Sequence, residues 1–185
     1  MSVPSLNELL RLGEAKLSLS LNGNVMISTY TNIDDTITEK IMTIDHTKFR
    51  KDLRYSWKEL KSRISKPGFF CLLVLLDGEP IAYDFGYDAD DKGVFFSDSS
   101  ASIIERKGVG TVIAVLEMVY LYENGYKAVK FTTEELDQAG RPLRQIWENL
   151  GYKTISTDPI SGVTMMMDIT QDVILQKIRR HITQI

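Results

Sequence analysis

Residues 103–131, IIERKGVGTVIAVLEMVYLYENGYKAVKF, place a glycine-punctured polar turn directly before a helix that has almost no polar face. Between Thr111 and Tyr122 the only charged residue is Glu117. A helix that is apolar all round has to be buried, so the rest of the chain must wrap it in further layers. The turn at its mouth is thereby anchored rigidly. The first N–H groups of a helix lack partners within it and sit at the positive end of its dipole. They can hold a phosphate, and glycine lets the phosphate approach because no Cβ intervenes. ERKGVGT offers Arg106 and Lys107 for charge, Gly108 and Gly110 for approach, and Thr111 for a hydroxyl. The Walker pattern G-x-x-x-x-G-K-[ST] is absent, and the dinucleotide fingerprint fails at Ile113, where its third glycine would stand. A turn with no ligand is the competing reading.

The surrounding segments give the layers. NELLRL reads as a short helix, and KLSLSL–NGN–VMISTY as a hairpin. Ile37, Ile41 and Ile44, then Trp57, Leu60 and Ile64, predict two short helices, the second stopped by Pro67 and Gly68. FFCLLVLL, IAYDFGYD and VFFSDSS read as an antiparallel run of three strands. The helix from about Val109 to Glu123 follows, with Gly125 in the C-terminal position, then the strand KAVKFTT. RPLRQIWENLGY is a helix opened by Pro142 and closed by Gly151, and GVTMMMDI is the last strand. The segment 170–185 is a helix capped by Thr170, with Ile174, Ile178, Ile182 and Ile185 on one stripe. The expected fold is α+β: one domain over 1–185, built as a mixed, mostly antiparallel sheet flanked by helices. A helix/hairpin extension (about 1–24) precedes the main body, and the C-terminal helix follows it.

At 185 residues, a net charge of −3 and a pI of about 5.5, the chain does not read as a nucleic-acid binder. A single cysteine, Cys71 in an apolar strand, builds neither a disulfide framework nor a thiolate metal site. His46 and His181 have no metal-ligand spacing, so no metal is expected. The N-terminus lacks a basic segment followed by an apolar one, and no apolar run is long enough to span a membrane. A soluble, cytoplasmic protein is expected.

ERKGVG, the following YENGYKAVKFTTE, and the Trp147-x-x-x-Gly151-Tyr152 ending of GRPLRQIWENLGY together resemble the GNAT superfamily of N-acetyltransferases over residues 25 to 169. The resemblance implies that the turn cradles the pyrophosphate of acetyl-CoA through Ile103, Ile104, Arg106, Lys107, Gly108, Val109, Gly110 and Thr111, with Arg144 and Trp147 alongside. It further implies that backbone N–H groups within Ser100–Ile104 polarise the thioester carbonyl, and that the acetyl group passes directly to an amine. Two residues depart from the family pattern. Glu105 stands where the motif has Gln or Arg. Trp147 stands where many members carry a tyrosine that protonates the leaving thiolate; an indole N–H is no acid, which leaves Tyr152, Tyr120 or solvent. Asp98, near the end of the fourth strand, is the first candidate base, followed by Glu134 and Glu135.

Five aspartates between positions 84 and 98, against Lys92 alone, could attract a cationic acceptor: a polyamine, a lysine side chain or a protein N-terminus. Turn aspartates are the competing reading. The basic stretch from Lys48 to Lys66 reads as a solvated helix face, and the isoleucine stripe of 170–185 as either a sheet contact or a homodimer contact. A catalytically weak module that binds CoA or a regulator is the alternative to an enzyme.

Overall fold

The computed structural model describes residues 2–137 and 140–183. In chain order the elements are α1 (Leu6–Leu21), β1 (Val25–Tyr30), α2 (Asp35–Lys48), a 3-10 turn (Lys51–Leu53), α3 (Trp57–Ile64), β2 (Phe70–Leu76), β3 (Glu79–Asp88), β4 (Val94–Ser102), α4 (Val109–Glu123), β5 (Ala128–Thr133), α5 (Leu143–Asn149), β6 (Lys153–Asp158), β7 (Gly162–Asp168) and α6 (Gln171–His181). The strands form one seven-stranded sheet in the order β1-β2-β3-β4-β5-β7-β6. Only β4 and β5 run parallel, joined by the buried helix α4. The sheet is therefore mixed and mostly antiparallel, as the sequence pattern predicts.

The helices divide between the two faces. Residues of α1, α4, α5 and α6 pack into one apolar cluster with Phe70, Leu72, Phe95 and Met165 from the sheet. Residues of α2 and α3 pack into the other, with Tyr83 and Phe85. The alternation of β3 sorts its side chains between these faces: Ala82 joins the α4 side, while Tyr83 and Phe85 join the α2–α3 side.

Three elements differ from the sequence expectation. The segment read as the first strand of a hairpin, KLSLSL, is the second half of α1. Its period-2 alternation competes with a helical spacing of Leu9, Gly13 and Leu17, and that spacing is the one buried, leaving Leu19 72% exposed. Ser5 caps the start of α1, and Asn22, in left-handed backbone, ends it. The helix also covers the edge strand β1. Val25 N–H donates to Ser18 Oγ (3.0 Å) and Ile27 N–H to Glu14 Oε1 (2.8 Å), which occupies two donors of an open sheet edge. Strand β6 was not anticipated, because KTISTD is an edge strand with a mostly exposed, polar sequence. Finally, Pro142 is the residue before α5 rather than within its first turn.

The isoleucine stripe of α6 packs back onto the chain itself: Ile174, Ile178 and Ile182 are buried in the α4 cluster. Ile185 lies outside the described residues.

Candidate active site

The cleft originates in the sheet. β4 pairs with β5 over only three residues, Val94–Phe96 against Ala128–Lys130. Beyond Phe96, β4 runs on to Ser102 along β3, while β5 follows β7, so the two strands diverge. A β-bulge bends β4 at this fork: Ser99 faces Phe85 and Ser97 faces Gly86, leaving Asp98 as the extra residue. Opposite the bulge the backbones approach so closely that a Cβ on Gly86 would lie 2.2 Å from Phe96 O.

One wall of the fork is β4 itself. Ile103 N–H donates back to Ile81 O on β3 (2.9 Å), and Ile104 N–H to Ser102 Oγ (3.3 Å). These two expected donors are therefore engaged within the chain. Because N–H direction alternates along a strand, the β4 donors that face the fork are those of Ser100 and Ser102.

The glycine turn sits at the mouth. Arg106 has φ +58° and Gly108 φ +83°, so the loop turns through left-handed backbone twice before entering α4. Gly108 is the residue preceding the helix and supplies no side-chain cap. A Cβ built on Gly108 or Gly110 meets nothing within 4 Å. The amides at the start of α4 thus face open space, flanked by the exposed Arg106 and Lys107, while Val109 is buried and anchors the turn. The residues present fit an anionic group such as a pyrophosphate. Glu105 does not stand free beside them. It pairs with Lys48 at the end of α2 and lies 3.9 Å from Arg141 Nη1. Lys48, ahead of Arg141, holds its carboxyl below the usual range.

Along α4 from the turn, a cavity of about 70 Å³ is lined by Gly110, Thr111, Ala114, Trp147, Tyr152 and His181, among others. Trp147 and Tyr152 pack edge-on against each other and against Phe131 of β5 (centroids 4.7–5.5 Å apart). Burial, with lesser contributions from Glu117 and Asp84, pushes the Tyr152 phenol well above its ordinary range, so it stays a hydrogen-bond donor. Arg144 lies on the outer side of α5, 3.2 Å from Glu148 and 3.6 Å from Glu135.

The three candidate bases are all paired, Glu135 with Arg144 as above. Asp98 has a side chain only 10% exposed, accepts from Tyr87 Oη (2.9 Å), and lies 3.4 Å from Arg63 Nε. Glu134 accepts from Arg50 Nη2 at 2.5 Å. The aspartates between 84 and 98 do not form one acidic surface. Asp84 is buried, Asp88 accepts from Tyr126, Asp91 pairs with Lys130, and Asp98 pairs with Arg63.

Two buried acidic features were missed as site elements. On the α4 side, Asp84 and Glu117 are 2% and 3% exposed. Ser97 Oγ donates to Asp84 Oδ1 (3.5 Å) and also interacts with Glu117, whose Oε1 has no partner among the described residues. Burial pushes Asp84 up to about 7, and burial together with Asp84 pushes Glu117 up as well. On the α2 side, Asp45 is fully buried and accepts from Tyr83 Oη (3.0 Å) and Tyr55 N–H (3.1 Å). Its signal in the sequence is its place four residues after Ile41, on the apolar stripe of α2.

Among the described residues, no group of three or more His, Cys, Asp or Glu could hold a metal ion, and no helix is long and apolar enough to cross a membrane. Cys71 is buried in β2, its thiol pushed up by burial.

No protein-family model matches the sequence, and neither does any curated protein. Solved structures do match the fold. The ribosomal-protein-S18-alanine N-acetyltransferase from Escherichia coli aligns with a TM-score of 0.62 at 13% identity, over 78% of this chain and 95% of its own. The aminoglycoside 6'-N-acetyltransferase from Enterococcus faecium aligns with a TM-score of 0.66 at 12% identity, over 78% and 97%. The PaiA N-acetyltransferase from Thermoplasma acidophilum, crystallised with coenzyme A, aligns with a TM-score of 0.60 at 13% identity, over 77% and 98%. The chain therefore has the GNAT fold.

Proposed function

We propose that this GNAT-fold chain is an acetyl-CoA-dependent N-acetyltransferase that moves an acetyl group directly to a primary amine. The acceptor class is a small polyamine-like amine, a lysine side chain or a protein N-terminus. The observation that carries the reading is the strand fork opening onto an uncapped helix N-terminus whose two glycines leave the amides exposed. The coenzyme A complex of a fold neighbour supports the same ligand.

Bound acetyl-CoA would supply the activated acetyl group. Gly108, Val109, Gly110 and Thr111 offer backbone donors to its pyrophosphate, with Arg106 and Lys107 adding charge. Ile103 and Ile104 shape the entry as apolar side chains. Arg144 and Trp147, on α5, border the other side. Ser100 and Ser102 point N–H groups into the fork, where a thioester carbonyl would be polarised. Tyr152, a protonated phenol beside Trp147, is the donor available to a leaving thiolate.

Calorimetry with acetyl-CoA and CoA, with ATP and NAD as controls, tests the reading. Selective binding of the CoA species, lost at least tenfold in Gly108→Asp, is expected, since a carboxylate would then face the pyrophosphate. Unchanged affinity in the folded variant refutes the site. Trp147 favours a second reading, a CoA-binding module without turnover. Thiol release with an amine panel separates the two.

A further inference from the structure

A transferase of this kind must dispose of one proton. An ammonium and a thioester yield an amide, a thiol and one H⁺, and an amine with a pKa near ~10.4 arrives protonated at neutral pH. Neither carboxylate nearest the fork in sequence is free to take that proton. Asp98 is engaged by Arg63 and Tyr87, and Glu134 by Arg50.

A continuous path leads elsewhere. Ser99, half-buried on β4 just past the bulge, has its Oγ 2.8 Å from Tyr83 Oη. Tyr83 Oη donates to Asp45 Oδ1 at 3.0 Å. Tyr83 and Asp45 are both fully buried, so no water competes along the link between them. With Tyr83 donating to Asp45, its oxygen is left to accept from the Ser99 hydroxyl, and the Ser99 lone pairs are left to accept from the cleft. Asp45 Oδ2 accepts from Tyr55 N–H and lies 4.0 Å from Nε2 of His46, a half-exposed side chain that opens towards solvent.

We propose that Asp45 is the proton acceptor of the transfer, reached from the cleft through Ser99 and Tyr83. The inference rests on the N-acetyltransferase reading above. One proton leaves the ammonium nitrogen for Ser99 Oγ as the serine proton passes to Tyr83 Oη and the tyrosine proton to Asp45. The freed amine lone pair forms the C–N bond while the C–S bond breaks, and the second N–H proton ends on the departing sulfur. Asp45 then returns its proton to solvent on the His46 side. Ser99 is the group that touches the acceptor; Tyr83 and Asp45 act through it. Asp45 is surrounded by His46 from α2, Arg54 and Tyr55 from the segment before α3, and Tyr83 from β3. Burial raises its proton affinity more than these neighbours lower it, which moves a carboxylate towards the range suited to a base at neutral pH.

Two measurements test the path. The first is steady-state kinetics with acetyl-CoA and an amine panel of spermidine, kanamycin and a lysine peptide, comparing wild type with Ser99→Ala, Tyr83→Phe, Asp45→Asn and Asp98→Asn. Each of the first three is expected to lower kcat about 100-fold, the usual scale for a lost proton carrier, with KM for acetyl-CoA unchanged and the acidic limb of the pH–kcat profile gone in Asp45→Asn. Wild-type kcat in Ser99→Ala, or a loss confined to Asp98→Asn, overturns the path while leaving the acetyltransferase reading intact. Absence of acetyl-CoA binding by the wild type overturns both. The second measurement needs no acceptor: carbon-13 NMR titration of Asp45 and Tyr83 in the ligand-free protein. Asp45 is expected to titrate above the ordinary ~3.9, with the Tyr83 ring signal moving at the same midpoint. An ordinary midpoint, or a Tyr83 signal that ignores it, overturns the path.

Discussion

Asp84 sits on the α4 side of β3 with no cation among the described residues against it, and its proton is held to about pH 7 rather than 3.8. A carboxyl raised in the folded state stabilises the fold only while it remains protonated. Below about pH 3.8 both the folded and unfolded chains carry the proton, and this contribution is fully present. As the pH rises from there, the unfolded chain ionises first and stability falls. Above about pH 7 both states are ionised and the loss is complete. The cost is about 4 kcal/mol, from 1.36 kcal/mol for each pH unit by which the two affinities differ. Asp84→Asn removes this group while keeping its shape. The stability of the variant relative to wild type should therefore rise by about 4 kcal/mol between pH 4 and pH 8, on the same linkage. Urea unfolding at half-unit pH steps measures this directly, and using the difference between the two proteins cancels the surface carboxylates. Glu117, raised by burial and by Asp84 itself, carries the same sign, so Glu117→Gln should reproduce the trend. A stability difference that does not vary with pH would refute the claim that Asp84 is desolvated without a counter-charge.

Gly86→Ala places a methyl 2.2 Å from Phe96 O, opposite the bulge that carries Asp98 and orients Ser99. It should lower stability by about 1–3 kcal/mol, and a melting temperature equal to wild type would show that the bulge has slack. Glu105→Gln removes a negative charge from the glycine turn and releases Lys48 and Arg141. CoA should bind roughly two- to tenfold tighter, with a steeper salt dependence, since exposed charges act through a screened field. Weaker binding would mean that the Lys48–Glu105 pair holds the turn open.

Much of this architecture is local and therefore legible in one dimension. The apolar run of α4, its bounds at Val109 and Glu123, and the glycine turn before it follow from side-chain periodicity and backbone freedom, which nearby residues specify. KLSLSL was misread because alternation satisfies a strand and a helix alike until α4 and the sheet select which leucines are buried.

The hydrogen-bonded path from Ser99 to Asp45 was not legible, because it depends on groups far apart in the chain. Asp45, Tyr83 and Ser99 come from α2, β3 and β4, and meet only through sheet register and the packing of α2 across it. Glu117, alone in an apolar helix, points to a buried hydrogen bond or a shifted proton affinity from the sequence, but only the packing of α4 on β3 brings the buried Asp84 beside it. Asp98 looked free until folding placed Arg63 and Tyr87 against it. The sequence by itself determined most of the helices and strands and the glycine turn before α4, because short-range sterics and periodicity act between neighbours. Only the tertiary structure decided which carboxylates are paired, buried or connected, because charge and solvent respond to what surrounds a group in space.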